Sequence, residues 1–173
     1  MEILITNDDG WGAKGILTIV RIMSSLGNVT VVAPDGARSG MSNAITVAQP
    51  IYLRPLNDPN WGTEEWQKNV TVYTTNGTPS DCVKLAIDVI CEGDSSRINL
   101  LVSGINHGSN AGINVIYSGT MGACFVGAEH GIPSIGYSID DHSPEADFSH
   151  MEKYILELTK HRLEEKMPYG VCY

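Results

Sequence analysis

A chain of 173 residues, 42 % apolar and 18 % charged, is long enough to bury a proper core and reads as one globular unit, not a disordered segment. Its formal net charge of −9, with only 11 Lys and Arg, would repel a duplex or an RNA backbone, so large nucleic acid is excluded as a partner. A small phosphate ester is not excluded, because a bound cation and a few local donors can reverse the sign of the field. No apolar run approaches 18 residues, and no basic region or long apolar stretch precedes the first acids. Neither a membrane span nor a secretion signal is therefore expected, and the chain is read as cytoplasmic.

In chain order, residues 2–6 read as a short buried strand that delivers two adjacent carboxylates, Asp8 and Asp9, followed at once by Gly10. Neighbouring strand residues point to opposite faces. For both acids to meet at one point the backbone must leave the strand there, and Gly10 permits such a turn. Two carboxylates about 4 Å apart repel by roughly 4 kcal/mol at an effective dielectric near 20, so a cation between them is a natural partner. The plainer alternative is that one Asp caps the following helix.

Residues 14–26 read as that helix and 29–33 as a β-branched strand ended by Pro34-Asp35-Gly36, which makes a right-handed βαβ unit with parallel strands. A polar, glycine-containing loop covers 34–44. Residues 50–75, rich in Pro, Asn and Trp, are expected to form an extended hairpin standing off the main sheet, with strand-like ends at 51–53 and 70–73. Thr78-Pro79-Ser80-Asp81 opens the next helix with a cap, a first-turn proline and a first-turn acid. Its buried face is Cys82, Val83, Ala86, Ile87 and Ile90. Residues 99–103 form a third parallel strand running into Gly104 to Asn110. Ser118-Gly119-Thr120 caps a helix of small residues through about His130, 132–139 is a fourth strand, and 148–166 an amphipathic helix. Cys82, Cys91, Cys124 and Cys172 show no C-x-x-C spacing and are read as reduced thiols.

Open α/β sheets place their sites at the carboxyl ends of the strands. The loops there carry Asp8 and Asp9 after the first strand, Ser39 after the second, and Asn106 with Asn110 after the third, so these residues fall on one edge of the molecule.

The blocks "ILITNDDG" at 3–10, "VVAPDGARSGMSNAIT" at 31–46, "GTPSDCV" at 77–83, "VSGINHGSNAG" at 102–112 and "YSGT" at 117–120 together resemble the SurE family, in that family's order. Its members are metal-dependent nucleotidases, also called survival proteins or acid phosphatases. The resemblance implies a Rossmann-like three-layer α/β/α fold with a mostly parallel central sheet and a protruding β-hairpin. It further implies that Asp8, Asp9, Ser39 and Asn106 hold a divalent cation, and that Gly40, Asn43, Asn110, Ser118, Gly119 and Thr120 line a phosphate pocket. The implied activity is removal of phosphate from nucleoside 5′- and 3′-monophosphates. The residues agree on the metal: two carboxylates, a hydroxyl and an amide oxygen suit Mg²⁺, Mn²⁺ or Ca²⁺, whereas zinc favours His or Cys. Such an ion can activate water for single-step attack on phosphorus, with Asp8 or Asp9 orienting or deprotonating that water. Arg38 is weighed as a cation near the phosphate against plain surface exposure.

Relative to the family the chain is expected to be a single SurE-like domain over 1–173, C-terminally truncated, its last residues 171–173 reading as the start of a strand. The family implies a homodimer or homotetramer, a state the short C-terminus puts in doubt. Asp81 is read as a helix acid, His107 as loop or rim, and Asp140, Asp141, His142, Glu145 and Asp147 as a solvated loop instead of a second metal site. Trp61 and Trp66 could stack on a base or lie buried at the hairpin's foot. The competing function is a catalytically impaired nucleotide- or metal-binding oligomer. A phosphate-accepting signalling domain would need an acceptor Asp after the third strand, where this chain has Ser-Gly-Ile-Asn.

Overall fold

Alternation along the first strand divides the core in two. The structure is a computed structural model and describes residues 1–58, 64–143 and 145–173. In β1 (Glu2–Thr6), Ile3 and Ile5 pack into one cluster and Leu4 into the other, as period-two strand geometry requires. The first cluster is covered by α1 (Lys14–Ser24), whose Ile16, Ile19, Val20 and Met23 recur at helical spacing, and by Ile155 of α4 (Glu152–Glu164). The second is covered by Cys82 and Val83 of α2 (Pro79–Leu85) and by Ala123 and Val126 of α3 (Gly119–Glu129). Each fully buried Ile or Val contributes about 2 kcal/mol. Strands apolar on both faces, with helices on each side, make the expected three-layer α/β/α arrangement.

The sheet has six strands in the order β3-β4-β2-β1-β5-β6: β2 is Asn28–Pro34, β3 Arg54–Pro55, β4 Val70–Thr75, β5 Leu100–His107 and β6 Ser134–Ile139. All pairings are parallel except β3 with β4. One expectation is corrected here. The segment from 70 does not stand off the sheet: β4 pairs in parallel with β2 over Val29↔Val70 to Pro34↔Thr75, and the antiparallel partner is only the two residues of β3 at the sheet edge. Trp66 lies half-buried against the α1 side of the core, its Nε1 donating to Glu64 Oε2 at 2.9 Å, at the foot of this segment. Trp61 lies outside the described residues.

Helix α2 begins as its sequence dictates. The Thr78 hydroxyl accepts the Asp81 N–H, and Asp81 accepts the Thr78 N–H at 2.9 Å, with Pro79 in the first turn. After Leu85 the helix widens into a π-helical turn, Ala86–Ile90. Asp81, 3 % exposed, also accepts the Thr46 N–H at 3.0 Å and the Thr46 hydroxyl at 2.7 Å. Burial opposes its charge, yet the donors of Thr46 and Thr78 outweigh it and leave the carboxyl below its ordinary value. This acid therefore anchors the loop after β2. Asp81→Ala is expected to lower unfolding stability by about 2 kcal/mol in a denaturant titration, since it leaves one buried and two part-buried donors without their charged acceptor.

Cys82, Cys91 and Cys124 are buried free thiols, and Cys172 is a half-buried one. The strand start expected at 171–173 is a one-residue parallel bridge from Cys172 to Ser134 on the outer edge of β6. Among the described residues no helix is long and apolar enough to cross a membrane.

Candidate metal centre

β1 lies between β2 and β5, where the strand order changes direction, and the crevice at the carboxyl ends of β1 and β5 is where such sheets bind ligands. The chain leaves β1 through a turn closed by Asn7, whose Nδ2 donates to the Gly10 carbonyl at 2.9 Å while its Oδ1 accepts the Gly10 N–H at 3.2 Å. Gly10, at φ +97°, takes the left-handed conformation this turn needs. Asp8 and Asp9 are thereby lifted off the strand and brought to one cleft.

Asp8 is 5 % exposed, and its Oδ1 accepts the Thr120 hydroxyl at 2.9 Å. Burial, reinforced by the neighbouring charge of Asp9, pushes its carboxyl up to about 6 even though Thr120 pulls the other way. Burial likewise raises Asp9, against the opposing influence of His107. The Asp9 Oδ2 is buried and accepts no hydrogen bond. A buried carboxylate oxygen without a donor costs stability unless a cation meets it.

The third contributor comes from β5, which runs past the expected end at Ser103 as far as His107. Its register with β6 shifts between Ser103 and Asn106, an irregularity of the kind that re-aims side chains at strand ends. Asn106 Nδ2 donates to the carbonyls of His107 at 3.0 Å and Gly108 at 2.9 Å, so its Oδ1 is the end that can face a cation. Ser39 and Gly40 come from the exposed loop after β2, which docks through the Arg38 N–H on the Asp8 carbonyl at 2.6 Å.

These residues share a cleft of about 280 Å³ lined by Asp8, Asp9, Ser39, Gly40, Asn106, Asn110 and Ser118, with His107, Tyr117 and His142 at its walls. The donor set is all oxygen and fits a hard divalent cation. Ser118 caps α3 by accepting the Met121 N–H at 3.0 Å, which turns the amino end of that helix toward the carboxylates. α3 can come this close because its contact positions are small. A side chain on Gly119 would touch Asp8 Cβ, and one on Gly122 would collide with the Ser42 carbonyl and come within 2.9 Å of Asn43 Cα.

The family model for the survival protein SurE matches residues 3–173. The chain belongs to the SurE family. It is 44 % identical to a 5′-nucleotidase SurE of Porphyromonas gingivalis and 46 % identical to one of Christiangramia forsetii, over 97 % and 98 % of this chain. The crystal structure of a SurE protein from Aquifex aeolicus matches with a TM-score of 0.82 and 33 % identity over 98 % of this chain. The chain spans 62 % of the length of each of these three proteins.

Set on the SurE fold, most of the residues singled out in the sequence come together and a few do not. Thr120 is fully buried and spends its hydroxyl on Asp8, so it orients an acid. Asn43 is exposed and lies outside the cleft lining, its Oδ1 accepting from Ser42. The Arg38 guanidinium is paired with Asp35 at 2.7 Å, away from the lining residues. In the 140–147 segment Asp141 and Asp147 cap their own turns and Glu145 pairs with Lys14. Among the described residues of that segment, only His142 reaches the cleft, its ring packed on Gly108. Neither His142 nor Tyr117 stood out as a cleft residue in the sequence. Tyr117 had one available signal, its place immediately before the Ser118 cap.

Proposed function

We propose that this chain carries the phosphate-releasing centre of a metal-dependent phosphomonoesterase acting on nucleoside 5′- and 3′-monophosphates. The observation that carries the reading is the paired carboxylates at the β1–β5 crevice, raised above their ordinary range, with Asp9 Oδ2 buried and unmatched. The names of the relatives, 5′-nucleotidase SurE, support the substrate class.

Asp8, Asp9, Ser39 and Asn106 would hold one Mg²⁺ or Mn²⁺, with Ca²⁺ able to take the same oxygens. When bound, such an ion supplies Lewis-acid polarisation of the phosphoryl group and makes a nearby water more acidic. The chain does the rest. Asp8, held by Thr120, or Asp9 orients the attacking water or takes its proton as the new P–O bond forms and the ester P–O bond breaks, and that proton then passes to the departing nucleoside oxygen. Asn110, whose Nδ2 is buried in the cleft without a partner, offers a donor to an equatorial oxygen. The backbone at Gly40 and the amino end of α3 at Ser118 and Gly119 add further N–H groups.

Phosphate release from adenosine 5′-monophosphate should require added Mn²⁺ or Mg²⁺ and stop with chelator. Manganese binding without any release would favour the catalytically impaired binding protein instead.

A further inference from the structure

The cleft has a polar floor, and its walls carry the imidazoles of His107 and His142 and the phenol ring of Tyr117. Tyr117 is 63 % exposed, yet its backbone is fixed on both sides: its N–H donates to the Asn114 carbonyl at 3.1 Å and its carbonyl accepts the Ser42 N–H at 3.2 Å. It ends the 3-10 turn Gly112–Ile116 and immediately precedes the Ser118 cap of α3. A flat ring held open to solvent on a pinned backbone is preorganised to receive a second flat surface. Ile113 and Ile116, 66 % and 54 % exposed, belong to the same turn and keep the neighbourhood apolar.

Position decides what that surface is. The phosphate end of the cleft is set by Asp8, Asp9 and the start of α3, and Tyr117 stands two residues before that start in the same cavity. At about 280 Å³ the cavity lies near the lower end of small-molecule sites, which run from about 300 Å³ upward. It can enclose a phosphate and its sugar, and the remainder of the ligand must lie at the mouth, against the ring. Trp66 does not offer this face, because it lines a separate depression with Trp11 beside α1.

We propose that Tyr117 is the platform on which the nucleobase stacks, and that it gives the site its preference for nucleoside monophosphates over phosphate esters without a base. The proposal rests on the phosphomonoesterase reading above. Stacking needs only the π-face that every base presents, so this residue selects for a base without choosing among bases.

The test compares adenosine 5′-monophosphate with ribose 5-phosphate on the wild-type chain and on Tyr117→Ala, Tyr117→Leu and Tyr117→Phe. The readouts are kcat/KM with Mn²⁺ and Kd by titration calorimetry with Ca²⁺. The nucleotide-to-sugar preference ratio should fall roughly tenfold in Tyr117→Ala and Tyr117→Leu and hold in Tyr117→Phe. Tyr117→Leu keeps the apolar bulk without the stacking face, which separates stacking from simple packing. A ratio unchanged in the Ala and Leu variants, or a wild type with no preference, overturns the platform. A wild type that neither binds nor hydrolyses either ester overturns the phosphomonoesterase reading instead.

Discussion

Asp9→Asn is expected to lower cation-dependent phosphate release by more than about a hundredfold while the protein remains folded. Loss of a group that merely supports a metal ligand already costs about 10- to 100-fold, and Asp9 is proposed as a ligand itself. The substitution preserves volume and hydrogen-bonding shape but removes the charge whose Oδ2 is buried without a donor. It also removes the repulsion that Asp9 exerts on Asp8. In chelator the variant should therefore melt at or above the wild-type temperature, while its Mn²⁺ affinity, followed by calorimetry, collapses. Activity close to wild type, or unchanged Mn²⁺ binding, would remove Asp9 from the centre.

In chelator, the protein should lose stability as pH rises from 3.8 to about 6, and a saturating divalent cation should reverse the loss. Asp8 titrates near 6 in the folded chain against an ordinary value of 3.8, so within this window the folded state binds more protons than the unfolded state. Stability then falls with rising pH, and the penalty is complete above the folded value. Asp9 is displaced in the same direction and adds to the slope. At about 1.4 kcal/mol per tenfold change in proton affinity, Asp8 alone accounts for about 3 kcal/mol, a large share of a typical 5–15 kcal/mol. A cation at a hundred times its Kd would return about 2.7 kcal/mol by mass action. Melting temperatures at pH 5 and pH 7, each with chelator and with Mn²⁺, check this. Asp8→Asn should flatten the slope in chelator, and a wild type more stable at pH 7 than at pH 5 without cation would contradict the assignment.

Local sequence was enough wherever one element carried its own signal. The cap, proline and acid at Thr78, Pro79 and Asp81 start α2 where expected, and the Ser118 hydroxyl caps α3. The acids of the Asp8–Asp9 turn meet because Asn7 and Gly10 close it, a local device. The misses concern partners distant in sequence. Residues 70–73 read as a strand end, but nothing within them says that they pair with β2. Gly104 interrupts the apolar run of β5, whereas pairing with β6 carries the strand on to His107. The family resemblance puts Thr120 and Asn43 together in the phosphate pocket. The turn of α3 gives the Thr120 hydroxyl to Asp8, and the loop around Ser42 leaves Asn43 outside the lining. His142 enters the cleft from the 140–147 segment because its ring packs on Gly108, 34 positions earlier in the chain.

The bare Cα of Gly122 beneath Ser42 and Asn43 works as a gauge. The strand of chain bearing Ser39 rests directly on a helix whose first turns also support Asp8, so the width of the mouth between hydroxyl and acid is set by the thickness of one residue. Any side chain at 122 would push the Ser42–Asn43 backbone off α3, and with it the connected segment that carries Ser39.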